Sequence, residues 1–352
     1  MGRLLDIDVI RPDGTKIART EIGLPPRKCL LCGQDAPVCA RSRTHTVGEL
    51  FARTHEMIEA HFADAFAKKA AQQAQRALLY EVAITPKPGL VDRANAGAHT
   101  DMDVFTFIDS ACALREYFET CAKTGLDFRG KNPQECFDAL RTPGLLAEAA
   151  MKQATGGVNT HKGAIFSLGI YCAALGMGYD GSASDTHEAL MRCGEMTRQR
   201  MEQELAGIAA GEARTFGEEI YCRRGVGGVR AEAAGGFAGV REASLPRLSA
   251  ALDAGLSLND AGLCALVALM ARTQDTNAVR RGGEEAAEAL RKDAQALDQK
   301  ILEKMSAGTL AADIEEMKKL LFDWDRAMSA KRISPGGCAD LLALTLLAQF
   351  MA

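Results

Sequence analysis

The chain has 352 residues, a formal net charge of −4, and a hydrophobic content of 47% of which little is aromatic, at 5%. That length suits two domains of roughly 100–200 residues each, or one large domain. The charge excludes a global basic field for nucleic acid or anionic membrane, so a nucleotide ligand would need local cations and a metal.

The opening MGRLLDIDVIRPDG is charged and turns early, unlike a signal peptide. RLLDIDVI alternates and predicts a strand, RPDG a turn, and TKIARTEIG a second strand; LPPRK breaks any helix. Next comes CLLCGQDAPVCARSRTH, with Cys29, Cys32, Cys39 and His45. Cys-x-x-Cys followed by a third cysteine and a histidine admits zinc. The second pair is loose, however, and a reduced structural loop is the preferred reading. Thr46 with Glu49 three residues on has the capping-box pattern of a helix start. Residues 1–62 thus read as a small α/β fragment with little apolar area of its own.

From Ala63 to the C-terminus the pattern is almost purely helical, and the expected fold is all-α, a multi-helix bundle. ADAFAKKAAQQAQRALLYEVA is an alanine-rich helix that stops before TPKPGL. DVFTFIDSACALREYFETCAKTG predicts one helix, with Val104, Ile108, Ala111 and Phe118 on a single face and Gly125 as its C-cap. Seven further helical segments follow, ending in ADLLALTLLAQFMA, which is too short to span a bilayer. The eleven cysteines lie mostly singly on apolar helices, as reduced thiols in a cytoplasm do.

The joints between helices are unusual. TPKPGLVDRANAGAHTDMD, TGGVNTHKG, RGVGGVRAEAAGGF, QDTNAVRRGG and SPGGCAD are rich in Gly, Asn, Asp and cations, which predicts loops gathered at one end of the bundle around a polar pocket. TGGVNTHKG is close to a P-loop but has His161, Lys162 and Gly163 where the motif wants Gly-Lys-Ser/Thr, and a helix precedes it. A helix start with a lysine can still favour anions; a glycine-rich turn with a solvated lysine is the alternative. SPGGCAD feeds the last helix and is either a second anion site of the same kind or a capped helix start with Asp340 complementing its dipole. Asp101 and Asp103 suit helix capping, or with Asp92 a hard cation. Asp275, Asn277, Arg280 and Arg281 form either a phosphate-binding turn or an ordinary interhelix turn. His99 and His161 sit in polar loops and could each protonate a leaving base.

Five stretches in order, EVAITPKPGLVDRANAGAHTDMD, TGGVNTHKGAIFSLG, GVRAEAAGGF, DTNAVRRGG and SPGGCADLLALTLL, make residues 63–352 resemble triphosphoribosyl-dephospho-CoA synthase. The resemblance implies a cytoplasmic pentosyltransferase that uses ATP and 3′-dephospho-CoA to make 2′-(5″-triphosphoribosyl)-3′-dephospho-CoA and adenine. The product is the precursor of the citrate lyase prosthetic group. A related branch serves malonate decarboxylase. GRLLDIDV with RKCLLCGQDAPVCARSRTHTVGEL resembles the C-terminal part of the citrate lyase holo-carrier-protein transferase, with Gly2, Arg3, Asp6 and Asp8 matching its motif and the rest of that enzyme missing. This points to the citrate lyase acyl carrier subunit as a partner; a homo-oligomer is compatible, and neither nucleic acid nor membrane is expected.

The reaction is glycosyl transfer at the ribose C1′, so the triphosphate must be gripped and left intact. The expected phosphate ligands are Lys87, Lys162, Arg280 and Arg281, assisted by the amides of Gly156, Gly157, Gly336 and Gly337; Asn159, Thr160, Arg230, Asn277 and Ser334 are expected to bind substrate. Asp92, Asp101 and Asp103 are expected to hold Mg²⁺ on the triphosphate. Asp92, Asp275 or Glu81 is the expected base, and His161 or His99 the group that serves adenine. The alternatives are an N-glycosidic hydrolase using the same pocket and a non-catalytic protein that binds the carrier subunit.

Overall fold

The computed structural model describes residues 2–5, 7–209 and 228–352. Asp6 and the first residues of the RGVGGVR joint therefore lie outside the described residues. The chain divides into two compact units, Met1–Phe66 and Ala67–Ala352.

In the first unit the RPDG turn forms, with Gly14 N donating to Arg11 O at 2.9 Å. The two expected strands are corrected: they meet only in an isolated antiparallel bridge, Ile10 to Lys16. A two-stranded pairing is marginal without a third strand or a packed face. Here Leu5, Ile7, Val9 and Ile10 are all exposed, so nothing covers the side of the segment that a sheet would bury. A 3₁₀ turn at Arg19–Ile22 and the short helix α1 (Ala36–Ser42) complete the segment ahead of α2 (Val47–Ala83). The capping box forms: Glu49 N donates to Thr46 Oγ1 at 3.2 Å and Thr46 N to Glu49 Oε2 at 2.8 Å. The boundary between the units falls within α2.

The second unit continues through α3 (Val104–Ala113), α4 (Arg115–Asp127), α5 (Pro133–Ala139), α6 (Arg141–Ala154), α7 (Lys162–Met177) and α8 (Thr186–Ala209). After the undescribed stretch come α9 (Gly228–Ala234), a π-helical turn (Val240–Ser244), α10 (Leu245–Asp253), α11 (Leu258–Arg272), α12 (Thr276–Gly282), α13 (Glu284–Ser306), α14 (Leu310–Ala330) and α15 (Gly336–Met351). Among the described residues there is no strand, and no helix is long and apolar enough to cross a membrane. The all-α reading holds.

The core follows from which helices are apolar on every side. In α7, α11 and α15 most residues, on every side, are buried, whereas α13 and α14 bury one stripe and leave the rest more open. The single helix expected over 103–125 is instead two, broken at Leu114, and Gly125 is not its cap but lies inside α4. Packing explains the glycine. A Cβ at Gly125 would come 2.8 Å from the carbonyl carbon of Ala173, and one at Gly176 would come 2.9 Å from Leu126 N. Both glycines let the α4 and α7 backbones approach closely, and this crossing packs the C-terminal half of α7 against α4.

Candidate active site

All five joints contribute to one cavity of about 1090 Å³ in the second unit. It exceeds the roughly 300–1,000 Å³ usual for a single small ligand. The N-termini of α7 and α15 both open into it, since Lys162, Gly163, Gly336 and Gly337 line its wall. The positive ends of two helix dipoles meet at this wall, where Lys162 N is held by Asn159 Oδ1 at 3.3 Å and Ala164 N by the Asp340 carboxylate.

Cations stand around these helix ends. Lys162, Arg230, Arg280 and Arg281 all line the cavity. Lys162 is largely exposed and lies 3.1 Å from Glu148; Arg230 faces Glu204 at 3.8 Å. Arg281 Nη2 donates to His99 Nδ1 at 3.3 Å, and His99 Nε2 lies 3.0 Å from Ser334 Oγ. With its Nδ1 accepting from arginine, His99 is a neutral strut that fixes the guanidinium. Burial, then the neighbouring Arg281 charge, hold its pKa below the usual histidine range. Asn159, Thr160 and Asn277 complete the polar wall.

Buried acid–base groups form another part of the lining. Glu81 and Lys87 are almost fully buried and ion-paired. Burial raises the Glu81 carboxyl, with the Lys87 charge opposing the shift. Lys87 is therefore committed to Glu81 rather than offered to a phosphate. Beside them stands Asp340, raised well above the carboxylate range by burial and then by the charges of Glu81 and Asp275. The sequence leaves Asp340 without a catalytic role, as a residue that complements the helix dipole if the SPGGCAD stretch is only a helix start. The signal that could have found it is its isolation, as the one carboxylate within the otherwise apolar GGCADLLALTLL.

His161 is also buried, with Nδ1 2.7 Å from Ser110 Oγ. Thr160 Oγ1 donates to that same Ser110 oxygen at 2.8 Å, which leaves the serine proton available to Nδ1; in the tautomer with that bond the imidazole proton is on Nε2. Nε2 is buried and has no hydrogen-bond partner, and His161 lines the cavity. Burial, then the Lys87 charge, push His161 down to about 3, so the ring is neutral at physiological pH. Phe107 meets it edge-on with ring centroids 4.9 Å apart. Ser110 was missed because it sits inside an apolar helix, where a serine carries no signal of its own.

Several expected site residues are employed elsewhere. Gly156 and Gly157 adopt φ +65° and +98°, and Gly157 N donates to Lys152 O at 2.7 Å. They end α6 in the left-handed manner typical of helix C-termini and do not line the cavity. Asp275 caps α12 through the amides of Asn277 and Ala278, and takes Cys338 N at 2.9 Å. It ties the starts of α12 and α15 together and does not line the cavity. Asp92 accepts from Lys87 N at 2.8 Å and Ala94 N at 2.7 Å, which holds the Lys87 loop.

The three aspartates expected to bind Mg²⁺ do not form a cluster. Asp103 is the N-cap of α3 and takes Thr106 N at 2.9 Å; Asp101 is exposed, 3.8 Å from His99 Nδ1. Among the described residues the one group of side chains with metal-ligand spacing is Cys29, Cys32, Cys39 and His45.

Residues 67–352 match the family model described as ATP:dephospho-CoA triphosphoribosyl transferase, and residues 1–61 match that of apo-citrate lyase phosphoribosyl-dephospho-CoA transferase. Protein CitXG of Haemophilus influenzae is 35% identical over 98% of this chain and 73% of its own length. A probable 2-(5″-triphosphoribosyl)-3′-dephosphocoenzyme-A synthase of Vibrio cholerae is 41% identical over 78% of this chain and 85% of its own length. The synthase of Haemophilus ducreyi is 34% identical over 90% of this chain and 98% of its own length. No solved structure matches the chain. With the family model covering α3 to α15 and every wall of the cavity, the chain belongs to the ATP:dephospho-CoA triphosphoribosyl transferase family.

Proposed function

We propose that the cavity transfers the 5-triphosphoribosyl group of ATP to the 2′-hydroxyl of 3′-dephospho-CoA and releases adenine, making the precursor of the citrate lyase prosthetic group. The observation that carries this reading is the convergence, on one cavity, of cations around two helix starts with the buried Glu81, the half-buried Asp340 and a neutral histidine. A phosphoryl-transfer enzyme would direct its catalytic groups at the γ-phosphate. Here cations suit an intact triphosphate, and the acids suit the sugar.

Lys162, Arg230, Arg280 and Arg281 grip the triphosphate, with the amides of Gly336 and Gly337. The ribose C1′ then lies near Asp340 and the Glu81–Lys87 pair. As the C1′–N9 bond breaks, positive charge develops on the ribose, and nearby carboxylates stabilise it. Asp340 takes the proton of the attacking 2′-hydroxyl as the C1′–O2′ bond forms. A carboxyl with a raised pKa is matched to that task. The Nε2–H of His161 donates a hydrogen bond to the departing adenine, which takes up a proton from solvent.

Asp92, Asp101 and Asp103 do not converge on one cation: Asp92 holds the amides of Lys87 and Ala94, Asp103 caps α3 through Oδ1, and Asp101 is exposed. Mg²⁺ is proposed to arrive on ATP, and no step is assigned to it. The synthase activity is assigned to residues 63–352. Residues 1–62 are the transferase-like part, and the citrate lyase acyl carrier subunit is the partner proposed for them.

The test is to incubate the protein with ATP, Mg²⁺ and 3′-dephospho-CoA and identify the products by mass. Free adenine with an intact triphosphoribosyl adduct is expected. ADP or AMP would overturn the reading, and adenine release without dephospho-CoA would make the protein a hydrolase.

A further inference from the structure

The unit Met1–Phe66 has almost no hydrophobic core. Among its described residues only Cys29, Cys39 and Phe66 are buried, while Ile7, Val9, Ile10, Ile22, Val47 and Phe51 are exposed. A segment of this size that buries so little apolar surface needs another source of folding energy, commonly disulfides or a metal. The cysteines are free thiols.

The two buried cysteines belong to the same group as Cys32 and His45. One ligand atom from each of the four residues lies within 4.8 Å of all the others. Four ligands at about 2.3 Å from a tetrahedral zinc ion stand about 3.8 Å apart, so the group is within small side-chain movements of that geometry. The backbone supports it. Lys28 and Asp35 pair in an antiparallel bridge, and Cys29 N donates to Gln34 O at 2.8 Å, closing a tight loop around Cys29 and Cys32. Inside that loop Leu31 N points at Cys29 Sγ, 3.4 Å away, as an amide does toward a thiolate. Cys39 comes from α1, a helix of seven residues that has little stability in isolation. Arg43, with φ +48°, then turns the chain so that His45 returns to the group. The Nε2 atom of His45 is buried without a hydrogen-bond partner, an uncompensated polar atom next to three thiols.

We infer that Cys29, Cys32, Cys39 and His45 bind a structural zinc ion that holds the N-terminal unit folded. Three sulfurs and one imidazole nitrogen are a ligand set that selects zinc over hard cations, and a closed tetrahedral site leaves no position for substrate. The ion replaces the missing core: binding fastens the Cys-x-x-Cys loop, α1 and the chain leading into α2 at one point. The reduced structural loop favoured by the spacing alone is thereby revised, because the fold brings together the pair that looked loose in sequence.

The test uses the full chain, reduced, stripped with a chelator, reloaded with zinc and desalted. About one zinc per chain is expected. Cys32→Ser should lose most of it, and Cys112→Ser, an exposed cysteine outside the group, should retain it. Co²⁺ added to the stripped wild-type protein should give the intense thiolate-to-cobalt charge-transfer and tetrahedral d–d bands of a three-sulfur site. His45→Cys should keep the metal, with the cobalt spectrum moved to that of four thiolates. This spectral reading protects the test if Cys32→Ser does not fold. Absence of zinc from the reloaded protein, a featureless cobalt spectrum, or a disulfide between any two of Cys29, Cys32 and Cys39 under reducing conditions overturns the proposal.

Discussion

The carboxylate of Asp340 fills the space that a side chain on Gly163 would need: a Cβ there would lie 2.7 Å from Asp340 Cγ and closer still to one oxygen. The glycine that spoils the P-loop pattern is thus required by an acid from the other helix that starts at the cavity. Gly163→Ala should push the Asp340 carboxylate from its position and cost about 1–3 kcal/mol in stability. Adenine release should fall on the order of 10²-fold, as small misplacements of catalytic groups do. In the double variant with Asp340→Ala the stability should return while the activity does not. Chemical denaturation and a product assay measure the two effects, and full stability in the single variant would contradict the packing account.

Asp340 as general base has a consequence for pH. Its carboxyl is raised well above the carboxylate range. The reactive form is the deprotonated one, so kcat should rise with pH through the raised value rather than through the region where ordinary aspartates titrate. Asp340→Asn should lower kcat by roughly 10²–10⁴-fold and leave the KM for ATP little changed. A variant that keeps the acidic limb of the profile would assign that limb to another group.

His161 makes stability depend on pH in a definite direction. The unfolded chain protonates this histidine near 6.5, whereas the folded protein holds it neutral down to about 3. Between those values the unfolded state binds more protons, so the contribution is present above 6.5 and is lost as pH falls toward 3. From pH 7 to pH 5 the wild type should lose about 2 kcal/mol more than His161→Gln, at 1.4 kcal/mol per unit. Urea titrations at the two pH values provide the comparison, and parallel losses would show that His161 is not buried neutral.

Gly157 and Asp103 separate backbone service from substrate service. Gly157→Ala places a side chain at φ +98° and should destabilise by about 1–2 kcal/mol. Asp103→Ala removes the α3 cap and should cost about 1 kcal/mol. In both variants the KM for ATP and the Mg²⁺ dependence should stay as in the wild type. A selective rise in either constant would return that residue to the phosphate or metal site.

Most of the helices were legible because each is long enough for its periodicity and its punctuation to agree. The capping box of α2 and the apolar runs of α7, α11 and α15 are examples. The break at Leu114 and the burial of Gly125 were not, since α7, which fills the space beside that glycine, is distant in sequence. The strand pattern of residues 3–10 failed for the converse reason: local alternation needs a partner, and one bridge was all that formed.

Within the site, the sequence by itself determined the chemistry of the joints: glycines at helix starts, arginines and lysine, histidines and acids, in an order specific enough to identify the reaction. The tertiary structure alone decided which of these groups face the cavity. An aspartate near a helix start looks the same in sequence whether it caps, bridges or catalyses. Asp103 turns to its own α3, Asp275 reaches Cys338 across 63 positions, and Asp340 lies against Gly163 in the cavity wall. Each of these choices is made by side-chain orientation and by the long-range neighbour that satisfies the carboxylate, and neither is encoded in local spacing.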